Sequence, residues 1–245
     1  MRYKIHIILL SFLILQGFLY VQNAQSIDNL IKEGNKKIEN QEYSVALEKF
    51  EQVLEDEELN QYAISGKVKT LILMDNDRQA LKFINDKLDN HQNNAVLHYN
   101  KGLVYKYRKR YKKAISSFEK ALKSNNEVYK EETLLMRGVS YQNRQNYDAS
   151  IEDFNTVISL NDSNINAYYN RGYSYYKLHD YRKAIKDFKQ VISMDAENSN
   201  GYYNLGMSYF RLGETRTACR YFDKACKLNH REACKMMLTE CTRSQ

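Results

Sequence analysis

Residues 165–198 read INAYYNRGYSYYKLHDYRKAIKDFKQVISMDAEN, and this stretch decides the fold. Around Gly172 the large and small residues keep fixed distances: Tyr168 lies four before it, Tyr175 three after, Tyr181 nine after, Ala184 twelve after, Phe188 sixteen after and Val191 nineteen after. The apolar positions step by three and four in two short runs. That periodicity predicts two amphipathic helices, near Asn166 to Leu178 and Tyr181 to Met194, with only His179 and Asp180 between them. So short a turn makes the helices antiparallel.

The same frame recurs outward in both directions. Six of the nine glycines, Gly34, Gly66, Gly102, Gly138, Gly172 and Gly206, follow one another at 32, 36, 36, 34 and 34 residues. The sixth copy carries Tyr202, Leu205, Tyr209, Ala218, Phe222 and Ala225; the fourth carries Leu134, Tyr141, Tyr147, Ser150, Phe154 and Val157. The third has His98, Tyr105, Tyr111, Ala114, Phe118 and Ala121, and the first has Leu30, Tyr43, Ala46, Phe50 and Val53. The copy at Gly66 reads as degenerate, because Ala80 lies fourteen residues on instead of twelve. A period near 34 predicts a supersecondary unit too small to bury its apolar face alone and therefore stacked on its copies.

This pattern resembles the tetratricopeptide repeat over roughly residues 27–232. The resemblance implies an all-α fold, an α-solenoid of about six helix-turn-helix repeats near 27–58, 59–94, 95–130, 131–164, 165–198 and 199–232, with a capping helix over 233–245. Two departures stand out: the chain has neither tryptophan nor proline. Helix ends must then be set by other signals, such as Asn161 to Asn164 and Asn198 to Gly201.

The resemblance also implies a groove for a peptide or partner segment, lined by the first helix of each repeat. Transferred to this chain, the groove positions are Tyr169, Asn170, Tyr173 and Tyr176 in the fifth repeat. Tyr203, Asn204, Met207 and Phe210 hold them in the sixth, and Tyr99, Asn100 and Leu103 in the third. The fourth offers the more apolar Leu135, Met136, Val139 and Gln142. Asn100, Asn170 and Asn204 share the position from which the family's asparagine bonds an extended peptide, while tyrosines supply large contact area at low entropy cost. The competing reading packs these tyrosines between repeats. The lysine and asparagine clamp that some family members use on a chaperone's C-terminal carboxylate is not matched.

The first 24 residues read as an export signal: Arg2 and Lys4, an apolar run from about Ile7 to Val21, then a polar stretch ending in Ala24. An uncleaved anchor is the alternative. Loss of this segment takes two of the seven net positive charges with it. The segment resembles those of bacterial envelope proteins, which implies the periplasm or cell surface.

All four cysteines, Cys219, Cys226, Cys234 and Cys241, lie in the last 27 residues. Bridges within one helix are excluded, because a seven-residue step separates the Cα atoms by about 10.5 Å, beyond the roughly 7 Å a disulfide spans. An antiparallel final helix brings Cys226 to Cys234 and Cys219 to Cys241 as nested rungs, and the segment resembles the cysteine-bridged helix pairs of Sel1-like repeats. Four buried thiols are the alternative. Zinc sites and redox enzymes favour cysteine pairs two to four residues apart, and none is present.

A basic run, Lys106, Arg108, Lys109, Arg110, Lys112 and Lys113, spans the turn of the third repeat and suits an anionic lipid, wall polymer or acidic protein. Nucleic acid is disfavoured, since no groove-reading motif accompanies it. Acidic residues cluster instead in the first repeat, at Glu48, Glu51, Glu55, Asp56, Glu57 and Glu58. No catalytic, metal or cofactor motif is found. The five histidines include no zinc-binding helical pair, Gly66-Lys67 lacks the rest of a phosphate loop, and Asp75-Asn76-Asp77 lacks the glycine of a calcium loop. These readings converge on a non-catalytic, protein-binding scaffold of the cell envelope, with a membrane-apposed structural role as the alternative.

Overall fold

Six residues in left-handed backbone conformation set the register of the chain: Gln41, Asp75, Lys109, Gln145, His179 and Gly213, with φ between 56° and 81°. They follow one another at 34, 34, 36, 34 and 34 residues. Each ends a helix by turning its chain back. At His179, for example, the N–H donates to Tyr176 O (3.1 Å) and the next N–H, of Asp180, to Tyr175 O (2.9 Å), which satisfies carbonyls that a helix end leaves open.

The computed structural model describes residues 26–124 and 129–241. Its α-helices are α1 (26–39), α2 (Tyr43–Asp56), α3 (Gln61–Leu73), α4 (Asp77–Asn90), α5 (Ala95–Tyr107), α6 (Tyr111–Lys123), α7 (Lys130–Asn143), α8 (Tyr147–Leu160), α9 (Ile165–Lys177), α10 (Tyr181–Met194), α11 (Ser199–Arg211), α12 (Thr215–Lys227) and α13 (Arg231–Met236). The asparagine stretches do end the loops as expected: Asn164 accepts from Ala167 N–H (2.9 Å) to start α9, and Asn198 from Gly201 N–H (2.8 Å) to start α11.

The second repeat is not degenerate. Its turn residue, Asp75, keeps the 34-residue step, so the position that glycine holds elsewhere belongs to Val68 and the phenylalanine position to Ile84, both fully buried. Gly66 stands two residues early. It faces Phe50 of the preceding repeat instead, whose ring also lies against Gly34, 2.7 Å from where a Cβ would stand. The longer step of 36 falls where the connection between α6 and α7 carries the extra residues.

Phe50, Phe118, Phe154, Phe188 and Phe222 are all fully buried, each contributing about 2–3 kcal/mol by leaving water. A Cβ at Gly138 or Gly206 would come within 2.6 Å of the Phe154 or Phe222 ring, so only glycine lets those paired helices approach.

The chain divides into two compact units, Met1–Tyr107 and Arg108–Gln245. In the first, α3 packs on α2, α4 and α5. In the second, helices from α6 to α12 pack in sequence, and α9 additionally touches both α7 and α11, so the first helices of repeats four to six share one face. Two bidentate ion pairs tie first helix to second in this unit. Arg137 grips Asp153 (2.6 and 3.0 Å) and Arg171 grips Asp187 (2.7 and 2.9 Å), with both carboxylates buried. Burial pushes both aspartates above their ordinary carboxyl range, the facing guanidinium pulling the other way.

After α12 the chain reverses at Asn229 and enters α13, whose last turn widens to a π-helix over Met237–Cys241. The final helix therefore begins at Arg231 and not at 233, because His230 Nδ1 caps it by accepting from Ala233 N–H (3.2 Å). Disulfides join Cys219 to Cys241 and Cys226 to Cys234, with Cα separations of 5.7 and 4.7 Å. The stretch read as an export signal, residues 1–24, lies outside the described residues, as do 242–245. Among the described residues no helix is long and apolar enough to cross a membrane.

Candidate functional site

The shared face of α9 and α11 gathers most of the anticipated groove residues, but it holds them in different ways. Tyr169 meets Phe188 edge-on (5.8 Å between centroids), and Tyr203 lies over both Phe222 (6.0 Å) and the His230 imidazole (4.3 Å). These two rings are half core. Burial raises the phenol pKa of each. Met207 and Phe210 pack on the Phe222 cluster, and Tyr173 and Tyr176 on the Phe188 cluster.

One geometric rule separates the three asparagines. Each stands 35 residues after a first-helix residue of the preceding repeat. Asn204 donates to Tyr169 Oη (2.9 Å), and Asn100 donates to Ser65 Oγ (3.1 Å) and to Val96 O (2.9 Å). Asn170 has Leu135 at that distance and folds back on its own helix, donating to Asn166 O (2.7 Å). Asn100 is only 1% exposed, so it is an interior tie between α3 and α5 and not a groove contact; the small Ser65 opposite draws it in. Tyr99 is half-buried beside it on α5.

Below Asn170, a buried polar network fixes the backbone of α9. Gln142 Nε2 donates to Asn170 O (2.7 Å) and to Ser174 Oγ (2.8 Å), and Ser174 in turn meets Ser150 (2.8 Å). Gln142 thereby serves the junction of repeats four and five, whereas Met136 and Val139 pack on the Phe154 cluster.

Tyr176, Lys177, His179, Tyr181 and Arg211 line a cleft of about 310 Å³ at the turn edge of repeats five and six. Arg211 Nε donates to Tyr176 Oη (3.2 Å), and Lys177 lies 5.2 Å from the Tyr173 ring centroid. Bonds to these phenols raise the pKa of both cations. Lys177 and Arg211 were not singled out in the sequence; their separation by one repeat period was the available signal.

The basic run divides. Lys106 belongs to the first unit, where burial lowers its ammonium pKa. Lys109, Arg110, Lys112 and Lys113 join Tyr111 and Arg144 around a cleft of about 360 Å³ in the second.

Profiles described as tetratricopeptide repeat match residues 95–126, 165–198 and 199–231, and one described as TPR repeat matches 138–179, together just over half of the chain. The chain belongs to the tetratricopeptide repeat family. No curated protein matches the sequence. Among solved structures, a tetratricopeptide repeat protein from Parabacteroides merdae is 20% identical over 83% of this chain and 80% of its own, with a TM-score of 0.61. YrrB, described as a TPR protein with an unusual peptide-binding site, is 22% identical over 75% and 94%, with a TM-score of 0.62. MamA from Desulfovibrio magneticus is 18% identical over 69% and 94%, with a TM-score of 0.63. At these identities the likeness is one of fold, a family solenoid.

Proposed function

We propose that this chain is a non-catalytic scaffold of the cell envelope that holds an extended peptide or partner segment on the shared face of α9 and α11. The observation that carries the reading is Asn170. Its side chain makes no bond to a neighbouring repeat, it sits between Tyr169 and Tyr173, and its backbone is fixed from beneath by Gln142 and Ser174. A fixed backbone, with a side-chain amide bonded only within its own helix and tyrosines at flanking positions, suits a peptide main chain, which needs both a donor and an acceptor. The description of YrrB as peptide-binding supports a peptide ligand for this fold.

Two features support an exported location. Disulfides persist in oxidising compartments, and two are present here. The segment 1–24 has the charge, apolar run and polar end of an export signal.

A photoreactive residue placed at Tyr173 tests the site, with one at Lys186 on the exposed side of α10 as control. The expected result, in an envelope extract of the source cell, is a specific adduct from position 173 and none from 186. Adducts from 186 alone, or none from either, contradict the reading. Alanine at Tyr169 or Tyr203 is a poorer test, because both rings also pack on core phenylalanines.

A further inference from the structure

The residue that follows each left-handed turn caps a second helix, and its chemistry is uniform but for one repeat. Glu42, Asn76, Asn146, Asp180 and Glu214 occupy that position at α2, α4, α8, α10 and α12. All are acidic or amide side chains, which suit the positive end of a helix dipole. At α6 the position holds Arg110. Lys112 and Lys113 follow in the first turn and Lys109 precedes; as at α2, α4 and α12, no side chain bonds the helix start. Arg144, at the end of α7, closes the other side of the cleft.

Four of these cations, Lys109, Arg110, Lys112 and Arg144, make no ion pair among the described residues. These four like charges, gathered around about 360 Å³, repel one another, and Arg110 and Lys112 also oppose the dipole of α6. Arg144 suits the C-terminal end of α7, but the cations at the start of α6 have no such helix end to favour them. The repeat frame does not demand them there either, since five other repeats place an acid or amide at the cap. A locally unfavourable cluster of this kind is relieved by a bound anion.

We propose that the cleft of Lys109, Arg110, Lys112, Lys113 and Arg144 binds a ligand carrying clustered phosphate groups. Phosphates fit better than an acidic peptide for two reasons. Adjacent phosphates concentrate several charges on tetrahedral oxygens, which accept well from guanidinium forks and from backbone N–H groups at a helix start. Acidic side chains bring one charge each on apolar stems, and Tyr111 is the one aromatic surface in the cleft to receive them. The cleft lies on the turn edge and not on the face of α9 and α11, so it stands independently of the peptide reading.

Tripolyphosphate is the probe, titrated calorimetrically into the chain at low salt and followed by thermal denaturation. Binding with a rise in Tm is expected. Arg110→Asp restores the cap chemistry of the other repeats, so the free variant should melt above the wild type while its affinity falls at least about tenfold. Arg144→Gln, which leaves the cap untouched, should weaken binding in the same direction. Vesicles of phosphatidylglycerol in phosphatidylcholine identify the source of the phosphate: competition with tripolyphosphate supports a lipid headgroup, and no competition supports a soluble or polymeric one. No binding of tripolyphosphate, unchanged affinity in both variants, or equal affinity for polyglutamate would overturn the proposal.

Discussion

Repeats five and six share one frame and fasten it differently. In repeat five, Arg171 on α9 faces Asp187 on α10 as a buried bidentate pair. The same positions in repeat six hold Leu205 and Tyr221, and the Tyr221 ring stacks on Tyr209 (5.5 Å between centroids). Repeat six is followed by the short α13 and its π-helical continuation to Cys241, which two disulfides bind to α12 through Cys234 and Cys241. The frame thus decides which residues face each other, while the bond between them is exchangeable. Where the next element is too short to offer much apolar area, covalent links take over.

Breaking the buried pair should have the largest effect. Arg171→Met leaves Asp187 buried and unpaired, and a loss of about 3–5 kcal/mol in urea denaturation is expected. Transplanting the other solution sharpens the comparison: Arg171→Leu with Asp187→Tyr should recover most of that loss, because a packed apolar pair replaces a buried ion pair at little net cost. Failure to recover would mean that repeat six depends on more than its own pair.

Opening the outer disulfide with Cys219→Ser and Cys241→Ser frees a longer loop than opening the inner one. Losses of about 3 and about 2.5 kcal/mol respectively follow from loop entropy, read as the difference between oxidised chain and variant. The asparagines separate more finely. Asn204→Ala removes the bond to Tyr169 and should cost about 1 kcal/mol, whereas Asn170→Ala loses only a bond within its own exposed helix face and should leave Tm nearly unchanged. The turns give changes no larger than that of Asn204→Ala. His179→Gly should stabilise repeat five by about 0.5–1 kcal/mol, and Gly213→Ala should destabilise repeat six by about 1 kcal/mol.

The tyrosine, alanine and phenylalanine spacings made the solenoid legible in the sequence because they report helix contacts directly. Glycine was the less dependable marker. Gly66 looks like a frame position, yet it serves the Phe50 ring of the repeat before it, and Val68 with Ile84 fills its own repeat. Turn conformation would have shown this, but five of the six turn residues are not glycine and carry no letter signature. Helix geometry favoured the nested pairing on the condition that the last helix folds back antiparallel, while free thiols stayed open as the alternative. The proposed peptide face was legible in residue type and not in availability: whether an asparagine bonds across repeats depends on what stands 35 residues earlier, Ser65, Leu135 or Tyr169. Arg137 with Asp153 and Arg171 with Asp187 went unnoticed because they lie sixteen residues apart, across the turn, where no local helix rule links them.

The central claim is that partner contact lies on the first-helix face of repeats five and six. Amide shift mapping tests it most directly, by titrating the segment captured at position 173 into the isotopically labelled chain. Perturbations centred on Asn170, Tyr173, Asn204 and Met207 are predicted, together with loss of affinity in Asn170→Ala at unchanged Tm. Perturbations centred on α10 and α12, with Asn170→Ala binding as tightly as the wild type, would contradict the account.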